Sequence, residues 1–393
     1  MKIGFIGLGK LGLPCAEVMA GSFNVVGFDT DKKRHSDKFS IVGELSEAVR
    51  GRDLVFVAVP TPHHKDYDGS KPSSHLPTRD FDYTILRDVI SAIARYEPQA
   101  RVVVISTVLP GVMRSQIAPL LPQGQVIYNP YFIAMGTVKE DFLSPEMVPI
   151  GTSNGESGAA AVLISLYQKL VPNARLELGT YEEAESIKIF YNTFISFKIG
   201  FVNTILDVAL KVGHMDVDRV TGALAKSTQR LISPSYLKAG LGDGGPCHPR
   251  DNIALSDIAR RLDLGYDLFG AIMQSREAQA FQLAQFLRMQ SMPVLIAGVA
   301  FKPHTTLTDG SYSLLVSHYL EESGEKVHLY DPDAGYESRI EGRDVAVLLA
   351  HTHLYERIKN QIGRGSVVID PWRSGVSEKD FRTIPYGNTR EPA

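Results

Sequence analysis

The chain has 393 residues, of which 44% are hydrophobic and 22% are charged, a composition typical of a globular protein with two or three domains. Its formal net charge of −3 gives no electrostatic reason to expect nucleic acid or an anionic membrane as a partner. Two distant cysteines form no disulfide framework and no Cys/His cluster has zinc spacing, so we expect a cytoplasmic protein without a metal, a secretory signal or a membrane-spanning apolar run.

The N-terminus combines a short apolar strand, a glycine-rich turn and a helical pattern. The strand covers residues 2–6, and the glycines that follow have the spacing G-x-G-x-x-G. In a dinucleotide-binding fold such glycines permit a tight turn and let a pyrophosphate approach the N-terminus of the next helix. We therefore predict a cofactor site formed by Gly7, Gly9, Lys10, Leu11 and Gly12.

A second strand, residues 25–28, ends in Asp29. An acidic residue at this place can bond a ribose 2′-hydroxyl, which favours NAD over NADP. The nearby Lys32, Lys33 and Arg34 weaken that preference, because cations after the second strand can also receive a 2′-phosphate. We predict NAD as the cofactor, with Asp29 and Arg34 beside it.

Strand patterns alternate with helical ones in the first part of the chain, which predicts a doubly wound parallel sheet. The further predicted strands are residues 54–59, 101–106, 126–128 and 148–150. The polar loop at 60–80 would lie at the carboxyl edge of this sheet, where ligands bind in such folds.

From residue 181 to 289 the pattern becomes helical, with a break at 233–249. Lys188 and Asn192 lie four residues apart, so both side chains leave one helix face and can converge on one oxygen atom. This pair suits an oxyanion site, although a solvated lysine and an ordinary helix asparagine are the alternative.

Cys247 follows a break that contains the pair Gly244-Gly245. The glycines let the backbone approach a substrate closely, and a helix starting near the cysteine would favour its thiolate. Asp251 would follow one turn later on the same side. The segment suits a nucleophilic thiol, and a buried structural cysteine is the alternative.

A second α/β pattern ends the chain. Its strands are predicted at 294–297, 327–330, 345–350 and 366–369, and Asp331 occupies the place that Asp29 has in the first pattern. We predict two Rossmann-like domains, 1–180 and 291–393, flanking a central helical domain, 181–290. The second Rossmann-like domain lacks G-x-G-x-x-G and would bind another nucleotide-like ligand or close over the first.

In this order the motifs resemble those of the UDP-glucose/GDP-mannose dehydrogenase family over nearly the whole chain. The resemblance rests on Gly7 to Pro14, Val59-Pro60-Thr61-Pro62, Ser106-Thr107-Val108, Asn129-Pro130, Ala184-Glu185 with Lys188 and Asn192, Gly244 to Asp251, and Gly298 to Pro303. It implies a four-electron oxidation: a primary alcohol at C6 of a nucleotide sugar becomes a carboxylate by two hydride transfers, each to its own NAD. Cys247 would form the thiohemiacetal and thioester of the second transfer.

The resemblance also implies roles for single residues. Lys188 and Asn192 would stabilise oxyanions, and Asp251 with an ordered water placed by Thr107 would act as base. Thr61 and Thr107 would contact the cofactor. The residues expected to bind substrate are Lys188, Asn192, Arg230, Tyr236, Gly244, Lys302 and Tyr131.

Several positions depart from the family pattern around the substrate. Tyr131 stands where most members have a glutamate that assists acid/base steps, and Asp309-Gly310-Ser311 replaces Arg-Glu-Ser. UDP-glucose is the leading substrate; another nucleotide sugar or a nucleotide with a free primary alcohol remains open.

Three alternative functions remain. They are a two-electron dehydrogenase that stops at the aldehyde, a β-hydroxyacid dehydrogenase type of enzyme, and a sugar-nucleotide binding protein without turnover. The resemblance implies a homodimer whose core is supplied largely by residues 184–208. We interpret Phe190, Phe194, Phe197 and Phe201 as core or interface residues at helical spacing.

Overall fold

The computed structural model describes residues 1–62, 76–77, 80–133, 137–212, 214–233, 239–241 and 247–388, without the side chains at 199, 200, 247, 250, 254 and 258. The chain divides into two compact units, Met1–Lys198 and Ile199–Ala393. The division into three domains at 180 and 290 stays a prediction.

The first unit is built on an eight-stranded sheet. The strands are β1 (Lys2–Ile6), β2 (Asn24–Phe28), β3 (Ser40–Ile41), β4 (Leu54–Val57), β5 (Arg101–Val104), β6 (Gln125–Tyr128), β7 (Val148–Thr152) and β8 (Leu176–Thr180). Their order is β3-β2-β1-β4-β5-β6-β7-β8. Neighbours are parallel except β6 and β7, so the last two strands run against the others. The predicted doubly wound sheet is confirmed, but it is not wholly parallel.

Helices cover both faces of this sheet. They are α1 (Gly12–Ala20), α2 (Leu45–Val49), α3 (Thr84–Tyr96), α4 (Val138–Leu143) and α5 (Ser157–Leu170). Alternate residues of each strand face opposite cores: Ile3 and Phe5 pack in the cluster with α1 and α5, while Ile6 of the same strand packs in the cluster with α3. Burial on both faces explains why the strands read as continuous apolar runs.

The second unit repeats this strand order with six strands. They are β9 (Val294–Ala297), β10 (Val327–Asp331), β11 (Tyr336–Glu337), β12 (Ala346–Leu349), β13 (Val367–Asp370) and β14 (Arg382–Pro385), in the order β11-β10-β9-β12-β13-β14. Only the pairing of β10 with β11 is antiparallel among these described strands. The fold class is confirmed, and all ten predicted strands are present with ends shifted by at most two residues.

The predicted helical stretch also forms helices. These are α6 (Tyr181–Val212), α7 (Val217–Ala225), α8 (Cys247–Arg261) and α9 (Leu268–Arg288), and the second sheet adds α10 (Tyr312–Glu322) and α11 (Tyr355–Ile358). Helix α6 begins in the first unit and ends in the second.

Helix α6 corrects the expectation that the chain has no apolar run long enough to span a membrane. By length and composition it is apolar enough to cross a membrane, with a mean hydropathy of 1.5 over its most apolar 18-residue window. Only 12% of that window is buried. An interface helix of a soluble oligomer has the same composition, so the finding identifies an uncovered apolar surface and does not by itself indicate a membrane span.

Candidate active site

The three glycines of the N-terminal loop have three distinct structural roles. Gly7 has φ +90, a conformation that other residues rarely adopt. A Cβ on Gly12 would lie 1.9 Å from the carbonyl oxygen of Gly7, so α1 packs closely against the loop. A Cβ on Gly9 would meet nothing within 4 Å, which leaves open space where a ligand can approach the backbone. The loop therefore fits a dinucleotide pyrophosphate, as the spacing predicted.

Asp29 stabilises this loop from the end of β2. One carboxylate oxygen accepts a hydrogen bond of 2.6 Å from the backbone N–H of Leu8, and the other accepts one of 2.8 Å from Asp31. A carboxylate has further lone pairs, so Asp29 still has acceptor capacity for a ribose hydroxyl. Arg34 is exposed and pairs with Asp31 at 3.3 Å, so its guanidinium is not directed at Asp29.

Thr61 and Thr107 lie beyond the carboxyl ends of β4 and β5. The Thr61 hydroxyl donates a 2.7 Å hydrogen bond to the Thr107 carbonyl, and the Ser106 hydroxyl donates one of 2.5 Å to the Val59 carbonyl. Because β1, β4 and β5 are adjacent and parallel, these residues and the glycine loop share one edge of the sheet. That edge includes the switch point between β1 and β4, where ligands bind in open α/β sheets.

Lys188 is half-buried on α6. Its ammonium donates a 2.7 Å hydrogen bond to the Tyr131 carbonyl and lies 4.9 Å from the centre of the Phe132 ring. Burial lowers the pKa of Lys188 because it disfavours the charged form. One of the three ammonium donors is used by Tyr131, which leaves two for a substrate oxygen. Asn192 follows one turn later and is exposed.

The structure places the Tyr131 side chain in the core of the first unit, where it cannot contact substrate. The residue is 8% exposed, and its ring lies 5.2 Å from that of Phe142. Burial raises the pKa of its hydroxyl well above the usual range. The predicted contact with substrate is therefore corrected: Tyr131 contributes its carbonyl to Lys188, and its hydroxyl provides no acid or base at the surface.

Glu185 is a buried acid whose role could not be predicted from the sequence. Its carboxylate accepts hydrogen bonds of 2.6 and 2.7 Å from the N–H groups of Gly111 and Met113. Burial raises the pKa of Glu185. These bonds attach the first turns of α6 to the loop after β5, and so position Lys188 relative to Thr107.

The two cysteines lie on different helices. Cys15 is buried in α1, and burial raises its pKa to about 12, so its thiol stays protonated. Helix α8 begins at Cys247, and exposed Asp251 lies one turn into the helix. Backbone N–H groups at such a helix start have no intrahelical partner and stabilise negative charge.

The other predicted substrate residues fall in the second unit. Arg230 and Lys302 are exposed, and Lys302 follows β9 at the carboxyl edge of the second sheet. Tyr236 and Gly244 lie outside the described residues. Asp309 is exposed, next to Gly310, whose carbonyl accepts a 3.1 Å hydrogen bond from Arg276.

Asp331 stabilises the loop after β9 much as Asp29 stabilises the first loop. One of its oxygens accepts hydrogen bonds of 2.8 and 2.9 Å from the N–H groups of Val299 and Ala300. Gly298 has φ +110, and a Cβ there would lie 2.4 Å from the His351 ring. The loop is tightly packed at this point, which differs from the open space at Gly9.

Known proteins are similar to this chain in sequence and in fold. UDP-glucose 6-dehydrogenase from Bacillus subtilis is 27% identical over 316 residues, which are 77% of this chain and 64% of that protein, so the chain matches less than two thirds of its length. GDP-mannose 6-dehydrogenase from Pseudomonas putida is 28% identical over 379 residues, covering 87% of this chain and 83% of that protein.

The crystal structure of a ternary complex of GDP-mannose dehydrogenase from Pseudomonas aeruginosa has the same fold, with a TM-score of 0.80 over 94% of this chain and 96% of that one, at 22% identity. Residues 32–171 match the NAD binding domain of the UDP-glucose/GDP-mannose dehydrogenase family, and residues 182–278 match its central domain. Together these matches cover more than half of the chain. The predicted cofactor, NAD, is confirmed, and the chain belongs to the UDP-glucose/GDP-mannose dehydrogenase family.

Proposed function

We propose that this protein oxidises the C6 primary alcohol of a nucleotide sugar to a carboxylate, through a thioester on Cys247. The observation that carries this proposal is the start of α8 at Cys247. A thiol at a helix N-terminus has a lowered pKa, and a thiolate is the nucleophile that the second oxidation needs. Cys15, buried with a raised pKa, is not suited to that role.

The residues of the N-terminal loop would hold NAD, which accepts a hydride in each oxidation when bound. Gly9 leaves the space for the pyrophosphate and Asp29 has acceptor capacity for the ribose. Thr61 and Thr107, at the same sheet edge, would border the cofactor.

The first oxidation removes a proton from the alcohol oxygen and a hydride from C6. Asp251, acting through a water that Thr107 helps to place, would take the proton. Lys188 and Asn192 would stabilise the alkoxide that develops. The Lys188 ammonium has two donors left after its bond to Tyr131, which supports this role.

The second oxidation begins when the Cys247 thiolate adds to the aldehyde and forms a carbon–sulfur bond. The resulting thiohemiacetal loses a hydride and a proton to give a thioester. Water then attacks the thioester, the carbon–sulfur bond breaks, and the thiolate and a carboxylate are released. The total is one alcohol, one water and two NAD consumed for one carboxylate.

One observation favours a second candidate, a dehydrogenase that stops at the aldehyde. Tyr131 replaces the acid expected from the family resemblance, and its hydroxyl is buried in the core. If Asp251 does not open the thioester unaided, the second half of the reaction is slow or absent.

For the oligomer, we propose a homodimer in which α6 packs against its copy. Phe190, Phe194 and Phe197 are 64%, 52% and 47% exposed on this helix. An exposed aromatic stripe of this size is typical of a protein interface.

The substrate and reaction are tested together by counting NADH formed per substrate molecule. UDP-glucose is the leading substrate, and the panel includes GDP-mannose, N-acetylated UDP-hexoses and simple nucleotides. Two NADH per molecule with one member, reduced in Cys247→Ala, is the expected result. One NADH, insensitive to Cys247→Ala, would establish the two-electron dehydrogenase; binding without NADH would indicate a binding protein.

A further inference from the structure

Three loops of the second unit bring two histidines and one aspartate together. His304 follows β9, Asp333 follows β10 and His353 follows β12. One ligand atom of each lies within 4.8 Å of the other two. These residues, the His-Asp cluster, are 20 or more positions apart in sequence, so no zinc-spacing pattern reveals them.

The cluster lies where this fold places ligands. Strands β10, β9 and β12 are adjacent and parallel, so their carboxyl ends meet at one edge. The chain direction along the sheet reverses between β9 and β12, which makes this edge the switch point of the second sheet.

The distances in the cluster are longer than hydrogen bonds. Asp333 Oδ2 lies 4.0 Å from His304 Nδ1 and 3.9 Å from His353 Nε2. Ligands about 2.1 Å from a tetrahedral ion are roughly 3.4 Å apart, so side-chain shifts of less than about 1 Å would close the site. Among the described residues, His353 Nε2 is buried and has no hydrogen-bond partner.

The surrounding groups favour a cation over an anion. The rings of His304 and His353 lie 4.2 Å apart, centre to centre, and both imidazoles lie beside the Asp333 carboxylate. Asp333 supplies a negative charge, and its other oxygen lies 3.9 Å from Arg357 Nη1, which leaves Oδ2 for an ion. The ring of His351 stacks 5.8 Å from that of His353, and its Nδ1 lies 3.5 Å from Asp331 Oδ2, a second carboxylate near the cluster.

We propose that His304, Asp333 and His353 bind one divalent transition-metal ion of the zinc class, with water completing the coordination. Two imidazoles and one carboxylate suit zinc, whereas calcium and magnesium prefer oxygen ligands alone. The ion would connect the loop that carries Lys302 to the ends of β10 and β12. This proposal does not depend on the dehydrogenase activity.

The test is isothermal titration of Zn²⁺ alone into the full chain after treatment with a chelator. One Zn²⁺ per chain is expected to bind at this site. His304→Ala, Asp333→Asn and His353→Ala should each raise its Kd by about 10- to 100-fold or more, since even outer-shell changes have effects of that size. His318→Ala is the matched control, because His318 is an exposed histidine on α10 that pairs with Glu322 and is not a member of the cluster.

A second readout separates ligand identity from folding. Co²⁺ bound by two imidazoles and a carboxylate should give a visible d–d spectrum that disappears in the three variants and persists in His318→Ala. Unchanged circular dichroism without metal shows that the variants fold. The proposal is overturned if wild type binds no Zn²⁺, or if the same Kd persists in the three variants, which would place the ion elsewhere, for example at Cys247.

Discussion

The ammonium group of Lys188 is held between a backbone carbonyl and an aromatic ring, at the surface of a packed unit. This environment fixes its position and also reduces its solvation. Both effects matter for an oxyanion site, because preorganised charge in a poorly hydrated site stabilises a developing alkoxide more than a solvated charge does.

The pKa of Lys188 predicts the alkaline limb of the pH profile. Burial lowers this pKa, so the ammonium loses its proton at a lower pH than an ordinary lysine does. If the charged ammonium is required, kcat/KM should fall at alkaline pH, and the midpoint of this fall should lie below the usual pKa range of lysine. Lys188→Arg keeps its charge at every accessible pH, so the limb should move to higher pH in this variant.

Lys188→Met is the companion variant, expected to lower kcat by about 100- to 1000-fold, the effect of losing one oxyanion donor. Measured pH profiles and unchanged thermal unfolding would support this role. An alkaline limb at the same pH in Lys188→Arg would contradict it.

Single residues differ in how far the sequence predicts them. The placement of Lys188 and Asn192 one turn apart on a helix follows from their spacing alone, and their convergence on one oxygen atom stays a prediction. The burial of Tyr131 and the two backbone bonds of Glu185 could not, because their partners come from other elements: Phe142 for Tyr131, and Gly111 and Met113 for Glu185. The His-Asp cluster was missed for the same reason.

Among the elements, the turn from β1 into α1 is predicted most completely. The positions of Gly7, Gly9 and Gly12 are determined by local geometry, and local geometry follows from spacing in sequence. The same reasoning predicted the strands, whose apolar runs are local, but not the reversal at β7, which depends on long-range pairing.

Two glycine substitutions separate cofactor binding from folding. Gly12→Ala places a Cβ 1.9 Å from a backbone carbonyl and should lower the free energy of unfolding by roughly 1–3 kcal/mol. Gly9→Ala meets no protein atom within 4 Å, so stability should hold while the Kd for NAD rises by about tenfold, or 1.4 kcal/mol. Urea unfolding and NAD titration measure the two effects. NAD binding unaffected by Gly9→Ala would contradict a pyrophosphate at this loop.

At the scale of the whole molecule, the two sheets share one strand order, and an aspartate at the carboxyl end of β2 or β10 stabilises the neighbouring loop. The sequence predicted that Asp29 and Asp331 occupy corresponding places in the two α/β patterns. It predicted the aromatic stripe of α6 as core or interface but could not distinguish the two, because a helical apolar stripe looks the same whether its own chain or another chain covers it.

The proposed dimer makes a prediction about α6. Phe194→Asp places a charge on the exposed stripe and should shift the protein from dimer to monomer in sedimentation equilibrium. Ile85→Asp is the matched control, since Ile85 is similarly exposed on α3. A monomeric wild type, or a dimer that Phe194→Asp leaves intact, would contradict the proposed dimer interface on α6. Solubility that depends on detergent would instead indicate that α6 contacts a membrane.

The central claim is the covalent intermediate on Cys247, and rapid acid quench followed by peptide mass spectrometry tests it most directly. During turnover of the substrate that yields NADH, we expect the Cys247 peptide to gain the mass of that substrate less four hydrogen atoms, as a thioester requires. The Cys15 peptide should remain unmodified, since its thiol is buried with a raised pKa. Full oxidation to the carboxylate with no adduct on Cys247, and undiminished in Cys247→Ala, would contradict the account.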